Sequence, residues 1–363
     1  MERCMEPFSN HPLAPVDVDE RYMRLALRQA RKGLGKTSPN PAVGAVLLRA
    51  GEVLAAGWHR RAGDPHAEIE ALAALPSLEM AEGATLYVTL EPCSTVGRTP
   101  PCTDAIIKAK IARVVIGAID PNPNHQGRGL DQLRQAGITV TSGILEEECS
   151  MLNVGFNKWI TTGLPWVIAK VAQSLDGRIT RPAGEPQWLS NSRSVRLAHS
   201  LRATVDAILV GAETVRRDNP RLTVRTGITE VQPWRIVVTR SGNLPGESNL
   251  LTDEHRDRTL IYQGAAWLDV LRALGAKGVT RLLVEGGGDV LGQLNDLRLI
   301  DELWCVVTPL LTGGNKPSFG GSGVENMGNA SRLKRIRYKR IGNDVLVTGH
   351  ILRPEGVPGT FHS

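Results

Sequence analysis

At 363 residues the chain is long for a single hydrophobic core and fits two domains. An apolar content of 41% with 22% charged residues excludes a disordered chain, and no apolar run approaches the roughly 18 residues that cross a bilayer. The 43 basic and 37 acidic residues leave a formal charge of +6, which suits small anionic ligands; no long Lys/Arg block or aromatic-interleaved basic patch points to nucleic acid.

Residues 1–16, rich in proline and without periodicity, read as a poorly ordered tail. Met1-Glu2-Arg3-Cys4 leads into no apolar stretch, so no secretory signal is expected. Five cysteines, odd in number and widely spread, do not form a disulfide framework, and a cytoplasmic setting with no membrane partner follows. Asp17 with Glu20 resembles a capping box opening a helix that carries Met23, Ala26, Leu27 and Ala30 and stops near Gly33. Thr37-Ser38-Pro39-Asn40-Pro41 is a rigid turn. Turn chemistry alone accounts for it, or Asn40 hydrogen-bonds a heterocycle through its amide.

A hairpin at 42–49 and 52–58 follows, then a short helix at 66–75 with His66 and Glu68 in its first turn. A strand at 84–90 runs into Glu91-Pro92-Cys93, and Cys102 opens a further helix. His66, Cys93 and Cys102 offer one imidazole and two thiolates, a set that suits a catalytic Zn²⁺ with its fourth position open for water. Glu68 is then spare to move protons for that water. His-x-Glu with a later Pro-Cys and a second Cys is the pattern of zinc nucleobase deaminases, although here nine positions separate the thiols. Strand 112–119, helix 128–136 and strand 138–142 complete an αββαβαβαβ order, a sheet covered by helices.

A helix at 145–161 bridges to a second alternation, with the boundary near residue 163. Its strands are expected at 166–173, 206–211, 235–239, 258–262, 280–284 and 302–310, with helices including 192–201 and 289–297. Lys170 lies inside an apolar strand, which is costly unless it is paired or opens on a cleft. Glu285-Gly286-Gly287-Gly288-Asp289 ends a strand before a helix. It is either a plain turn or a phosphate cradle, and it is not a Gly-x-Gly-x-x-Gly fingerprint, because residue 291 is Leu. Residues 354–363 read as a loose tail.

Thr37-Ser38-Pro39-Asn40-Pro41, His66-Ala67-Glu68, Glu91-Pro92-Cys93-Ser94, Gly97-Arg98-Thr99-Pro100-Pro101-Cys102 and Asp120-Pro121-Asn122-Pro123 with Gly127-Arg128-Gly129 together resemble the bifunctional riboflavin-biosynthesis family. In that family a diaminohydroxyphosphoribosylaminopyrimidine deaminase is joined to a 5-amino-6-(5-phosphoribosylamino)uracil reductase. The resemblance spans about 17–350. It implies an α/β chain with a cytidine-deaminase-like α/β/α domain at 17–162 and a dihydrofolate-reductase-like α/β domain at 163–353. Zn²⁺ and NADPH are the implied cofactors, a phosphorylated pyrimidine the substrate, and a homo-oligomer, dimer or tetramer, the assembly.

Position by position, the resemblance implies substrate contacts at Asn40, Arg98, Pro186, Arg202, Leu222, Arg225 and Glu285, with Glu68 and Lys170 catalytic. It implies NADPH contacts at Ala172, Trp188, Thr214, Asp218, Ser241, Gly287, Gly288, Asp289, Val290, Leu291, Gly292 and Gln293. Two arginines suit a phosphate and Trp188 suits stacking on a flat ring. Two departures stand out. Thr95 and Val96 replace the imidazole that the family usually carries after Cys-Ser, and Pro186 replaces a serine hydroxyl.

Overall fold

The structure, a computed structural model, describes residues 15–95, 100–180, 189–225 and 231–352. The expected C-terminal tail lies outside these residues, as do Arg98, Pro186, Trp188 and Val96. The chain divides into two compact units, Met1–Asn153 and Val154–Ser363. Among the described residues no helix is long and apolar enough to cross a membrane.

The first unit runs α1 (Pro15–Ala30), β1 (Gly44–Arg49), β2 (Glu52–Trp58), α2 (Ala67–Ala73), β3 (Thr85–Leu90), α3 (Cys102–Lys108), β4 (Arg113–Ala118), α4 (Arg128–Gln135), β5 (Thr139–Ser142) and α5 (Glu146–Leu152). The helix expected to open at Asp17 begins two residues earlier, because Pro15 suits the first helical turn, where its missing N–H is no loss. Five strands form one sheet in the order β2-β1-β3-β4-β5, antiparallel at β2-β1-β3 and parallel beyond. Alternate residues of each strand face opposite layers. Ala45, Leu47, Leu86, Val88, Val114 and Ile116 pack with the side of α2, α3 and α4. Val46, Leu48, Tyr87 and Val115 pack against α1 and Cys149 of α5. The period-2 pattern of the strands thus makes a three-layer α/β/α core.

The single helix expected over 145–161 is two, broken at Asn153. The second, α6 (Val154–Thr162), packs within the second unit, where Trp159 Nε1 donates to Gly275 O at 2.9 Å. There follow β6 (Trp166–Ser174), α7 (Ser192–Arg202), β7 (Ala207–Gly211), α8 (Ala212–Asp218), β8 (Trp234–Thr239), α9 (Asn249–Thr252), β9 (Thr259–Gln263), α10 (Trp267–Ala276), β10 (Arg281–Val284), α11 (Gly288–Asp296), β11 (Glu302–Thr308), β12 (Arg332–Ile341) and β13 (Asp344–Leu352). The sheet order is β12-β13-β11-β6-β10-β7-β8-β9. Six strands from β11 to β9 are parallel; the near-continuous apolar runs of the central β6, β10, β7 and β8 are buried on both faces, while β9 at the edge is partly exposed. The antiparallel hairpin β12–β13 closes one edge. Parallel strands place all their carboxyl ends at one rim, where α/β sheets bind ligands.

Candidate active sites

In the first unit the metal-ligand candidates converge. His66 is the N-cap of α2, Cys93 follows β3, and Cys102 is the first residue of α3. His66 Nδ1 lies 3.2 Å from Cys102 Sγ and 3.5 Å from Cys93 Sγ, and the three donor atoms are all within 4.8 Å of one another. Zinc bonds of about 2.0 Å to nitrogen and 2.3 Å to sulfur, at tetrahedral angles, set nitrogen-to-sulfur edges of about 3.6 Å. The donor set therefore fits a zinc ion. Its electrostatics agree. A hydrogen bond from the Cys102 thiol pulls Cys93 well below the usual thiol range, His66 assisting against burial. Cys102 is raised by that same bond, by burial and by the charge of Glu68. A cation held between the two sulfurs would favour ionisation of both.

Glu68, one helical step inside, is 3% exposed. Burial pushes its carboxyl up to about 7, Cys93 adding to the rise and His66 opposing it. A carboxyl near neutrality is suited to both accepting and giving a proton.

Two neighbours to which the sequence assigned no role complete this site. His59 Nδ1 faces Pro65 O at 3.0 Å; a carbonyl only accepts, so Nδ1 carries the hydrogen and Nε2 accepts from Asn40 Nδ2 at 3.2 Å. The His59 ring meets that of His66 edge-on, with centroids 5.3 Å apart. The turn thus bears on the metal-ligand cluster through His59. Glu91 is the other neighbour. Its carboxylate accepts from the backbone N–H groups of Asp120 (3.2 Å), Gly127 (3.0 Å) and Gly129 (3.0 Å). It ties the Asp120–Gly129 loop to the segment bearing Cys93, and a Cβ at Gly129 would meet Pro92 O at 2.3 Å. Thr95, where the resemblance expects an imidazole, has its hydroxyl 3.3 Å from His125 Nε2 on that same loop.

In the second unit a cavity of about 890 Å³ opens at the carboxyl ends of the parallel strands. Its lining includes Lys170, Ala172, Arg202, Thr214, Asp218, Leu222, Ser241, Glu285, Gly287, Gly288, Asp289, Val290 and Gln293. Leu291 instead packs in the core beneath, Gly292 backs onto Gly320, and Arg225 is exposed at the end of a described stretch. Arg202 donates through Nε and Nη2 to both Glu285 oxygens, at 2.9 and 2.7 Å, and through Nη1 to Thr223 O at 3.3 Å. Its fork is occupied by Glu285, so it sets that carboxylate in place rather than offering an open phosphate clamp. Burial disfavours the Glu285 charge, yet Arg202, with help from Lys170, holds it at about 2. Burial lowers Lys170, with Glu285 opposing and Arg202 assisting. His199, one turn before Arg202 on α7, is also buried and was not legible from sequence.

Among the described residues the Gly287–Gly288 start of α11 has no side-chain cap, which leaves its first amides available to an anion. At Gly287 an added Cβ meets nothing within 4 Å, whereas at Gly288 it would strike Pro317 O at 2.1 Å. Backbone here lies open to the cavity, and Arg216, Arg217 and Arg240 add cations to the wall. Cavity size, free amides and cations fit a phosphorylated dinucleotide.

The family models match both units: "Cytidine and deoxycytidylate deaminase zinc-binding region" over residues 16–118 and "RibD C-terminal domain" over 165–347. The chain is 37% identical to riboflavin biosynthesis protein RibD of Aquifex aeolicus, covering 91% of this chain and 98% of the relative. It is 38% identical to that of Escherichia coli, covering 90% and 98%. Among solved structures, Acinetobacter baumannii RibD superposes with a TM-score of 0.85 at 34% identity, covering 93% of this chain and all of that one. A diaminohydroxyphosphoribosylaminopyrimidine deaminase/5-amino-6-(5-phosphoribosylamino)uracil reductase of Thermotoga maritima superposes with a TM-score of 0.85 at 32% identity and the same coverage. With a zinc-type donor set in one unit and a dinucleotide-sized cavity in the other, the chain belongs to the RibD family of riboflavin biosynthesis, bifunctional enzymes that join a zinc-dependent deaminase to an NADPH-dependent reductase.

Proposed function

We propose that residues 17–162 remove the 2-amino group of 2,5-diamino-6-(ribosylamino)-4(3H)-pyrimidinone 5′-phosphate as ammonia. Residues 163–353 then reduce the ribosyl chain to ribityl, giving 5-amino-6-(5-phosphoribitylamino)uracil. The observation that carries this reading is Glu68, buried beside one nitrogen and two sulfur donors that fit zinc. His66, Cys93 and Cys102 would hold the ion, which when bound makes water acidic enough to attack near neutral pH. Glu68 takes a proton from the attacking water and gives one to the departing amine, so that ammonia leaves from an sp³ carbon and the ring carbonyl forms. Asn40, held by His59, hydrogen-bonds the pyrimidine, and Arg98 receives the ribose phosphate.

In the second half Gly287, Gly288 and Asp289 with Ser241, Thr214 and Asp218 would hold NADPH, which when bound supplies hydride. As C1′ gains the hydride, its bond to O4′ breaks and O4′ takes a proton. Lys170, beside Glu285 and Arg202, is placed to give that proton, and Arg225 and Leu222 receive the remainder of the substrate. The unbridged, buried thiols of Cys149 and Cys305 fit a reducing, cytoplasmic setting. Exposed Ile336, Tyr338 and Val345 on the β12–β13 hairpin support assembly as a dimer or tetramer. Ammonia release and NADPH oxidation, assayed separately with each half's own substrate, test the reading; a chain that does neither contradicts it.

A further inference from the structure

The end of β1 that carries the Asn40 turn loses its sheet partner. Ala45 still pairs with Val88, but at Gly44 the backbone N–H already turns to the side-chain hydroxyl of Thr89 at 3.2 Å. By Glu91 the β3 chain has left for β4, its N–H donating to Ala118 O. Ala42, two residues after Asn40 and 3% exposed, therefore has no backbone partner on that side among the described residues. Asn153 supplies one. Its Oδ1 accepts from Ala42 N–H at 2.8 Å and its Nδ2 donates to Ala42 O at 3.0 Å, across 111 residues. A carboxamide is a peptide group on a side chain, and here it takes the place of one further rung of the ladder. On the other side His59 N–H donates to Val43 O at 3.0 Å, and the His59 ring meets Asn40. The turn is thus gripped from two sides, by His59 and by Asn153.

We infer that Asn153 is a positioning residue for the deaminase, holding the Asn40 turn at the height where its amide meets the pyrimidine. The inference rests on the reading of Asn40 as a substrate contact. Asn153 is also the last residue of the first unit, directly after α5. The turn that reads the base is therefore fixed by the residue at which the chain leaves this unit.

Asn153→Asp keeps the acceptor for Ala42 N–H and sets a carboxylate against Ala42 O; Asn153→Ser leaves one short hydroxyl. For both variants in the full chain we expect the KM of ammonia release to rise by about tenfold, the effect of one lost buried hydrogen bond. The kcat, the zinc content and NADPH oxidation on supplied deaminated intermediate should change little. Asn40→Ala should raise the same KM, and Asn40→Ala/Asn153→Asp should be no worse than Asn40→Ala alone. If Asn40→Ala raises KM but the Asn153 variants do not, or if the two effects simply add, the positioning role is overturned while the Asn40 contact stands. An unchanged KM in Asn40→Ala overturns both. Loss of zinc or of NADPH oxidation in both Asn153 variants makes the residue a general folding element and also overturns the inference.

Discussion

Glu68 illustrates how one position serves chemistry because of where the backbone puts it. The first turn of α2 buries it and sets it beside the His66–Cys93–Cys102 cluster. Glu68→Gln keeps the shape and removes the proton carrier. Ammonia release should fall by about 10²- to 10⁴-fold while zinc content, measured by metal analysis, is unchanged. Lys170→Ala should cost NADPH oxidation about 10²-fold at saturating NADPH; a variant at full rate removes Lys170 from the mechanism.

The Glu285–Arg202 pair makes a pH prediction. Its carboxyl is held at about 2, below the ordinary value of 4.5, so the folded state binds this proton less readily than the unfolded chain. The stability it contributes is present above the unfolded value and is lost as pH falls from there through about 2. For Glu285→Gln the acid side of the stability curve should be flatter, and an unchanged slope would contradict the assignment. At this scale the sequence was most legible where ligands sit in short motifs, as at His66-Ala67-Glu68 and Pro92-Cys93. It was least legible for His59, a lone histidine whose partners Asn40 and Pro65 are named only by the fold.

At the scale of elements, loops are set by single side chains reaching far along the chain. Glu91 satisfies three backbone amides between Asp120 and Gly129. Glu91→Ala leaves these donors without their acceptor, at about 1–3 kcal/mol for a buried group left unpaired. We expect a clear drop in Tm by calorimetry and weaker zinc retention in a chelator challenge, because the same loop braces the Cys93 segment. Glu91 stands in a visible motif, yet its partners lie 29, 36 and 38 residues on, and no local pattern announces them. The strands of the parallel sheet were readable as apolar runs. The β12–β13 hairpin was not, because Arg332–Ile341 is an edge strand dense in lysine and arginine, and such charges mask alternation while blocking edge-to-edge pairing. The helix over 145–161 read as continuous because apolar spacing persists through Asn153, whose side chain is drawn away to Ala42.

For the whole molecule, each half has its own core, its own sheet and its own candidate chemistry. The two activities should therefore be separable by mutation. Glu68→Gln should leave NADPH oxidation intact on supplied intermediate, and Lys170→Ala should leave ammonia release intact. The most direct test of the account is the zinc site itself, by metal analysis of the purified chain together with zinc X-ray absorption. One zinc per chain, bound by two sulfurs at about 2.3 Å and by light atoms at about 2.0 Å, and lost in Cys102→Ser, is the predicted result. A chain fully active in ammonia release without stoichiometric zinc, or a zinc shell lacking the two sulfurs, would contradict it.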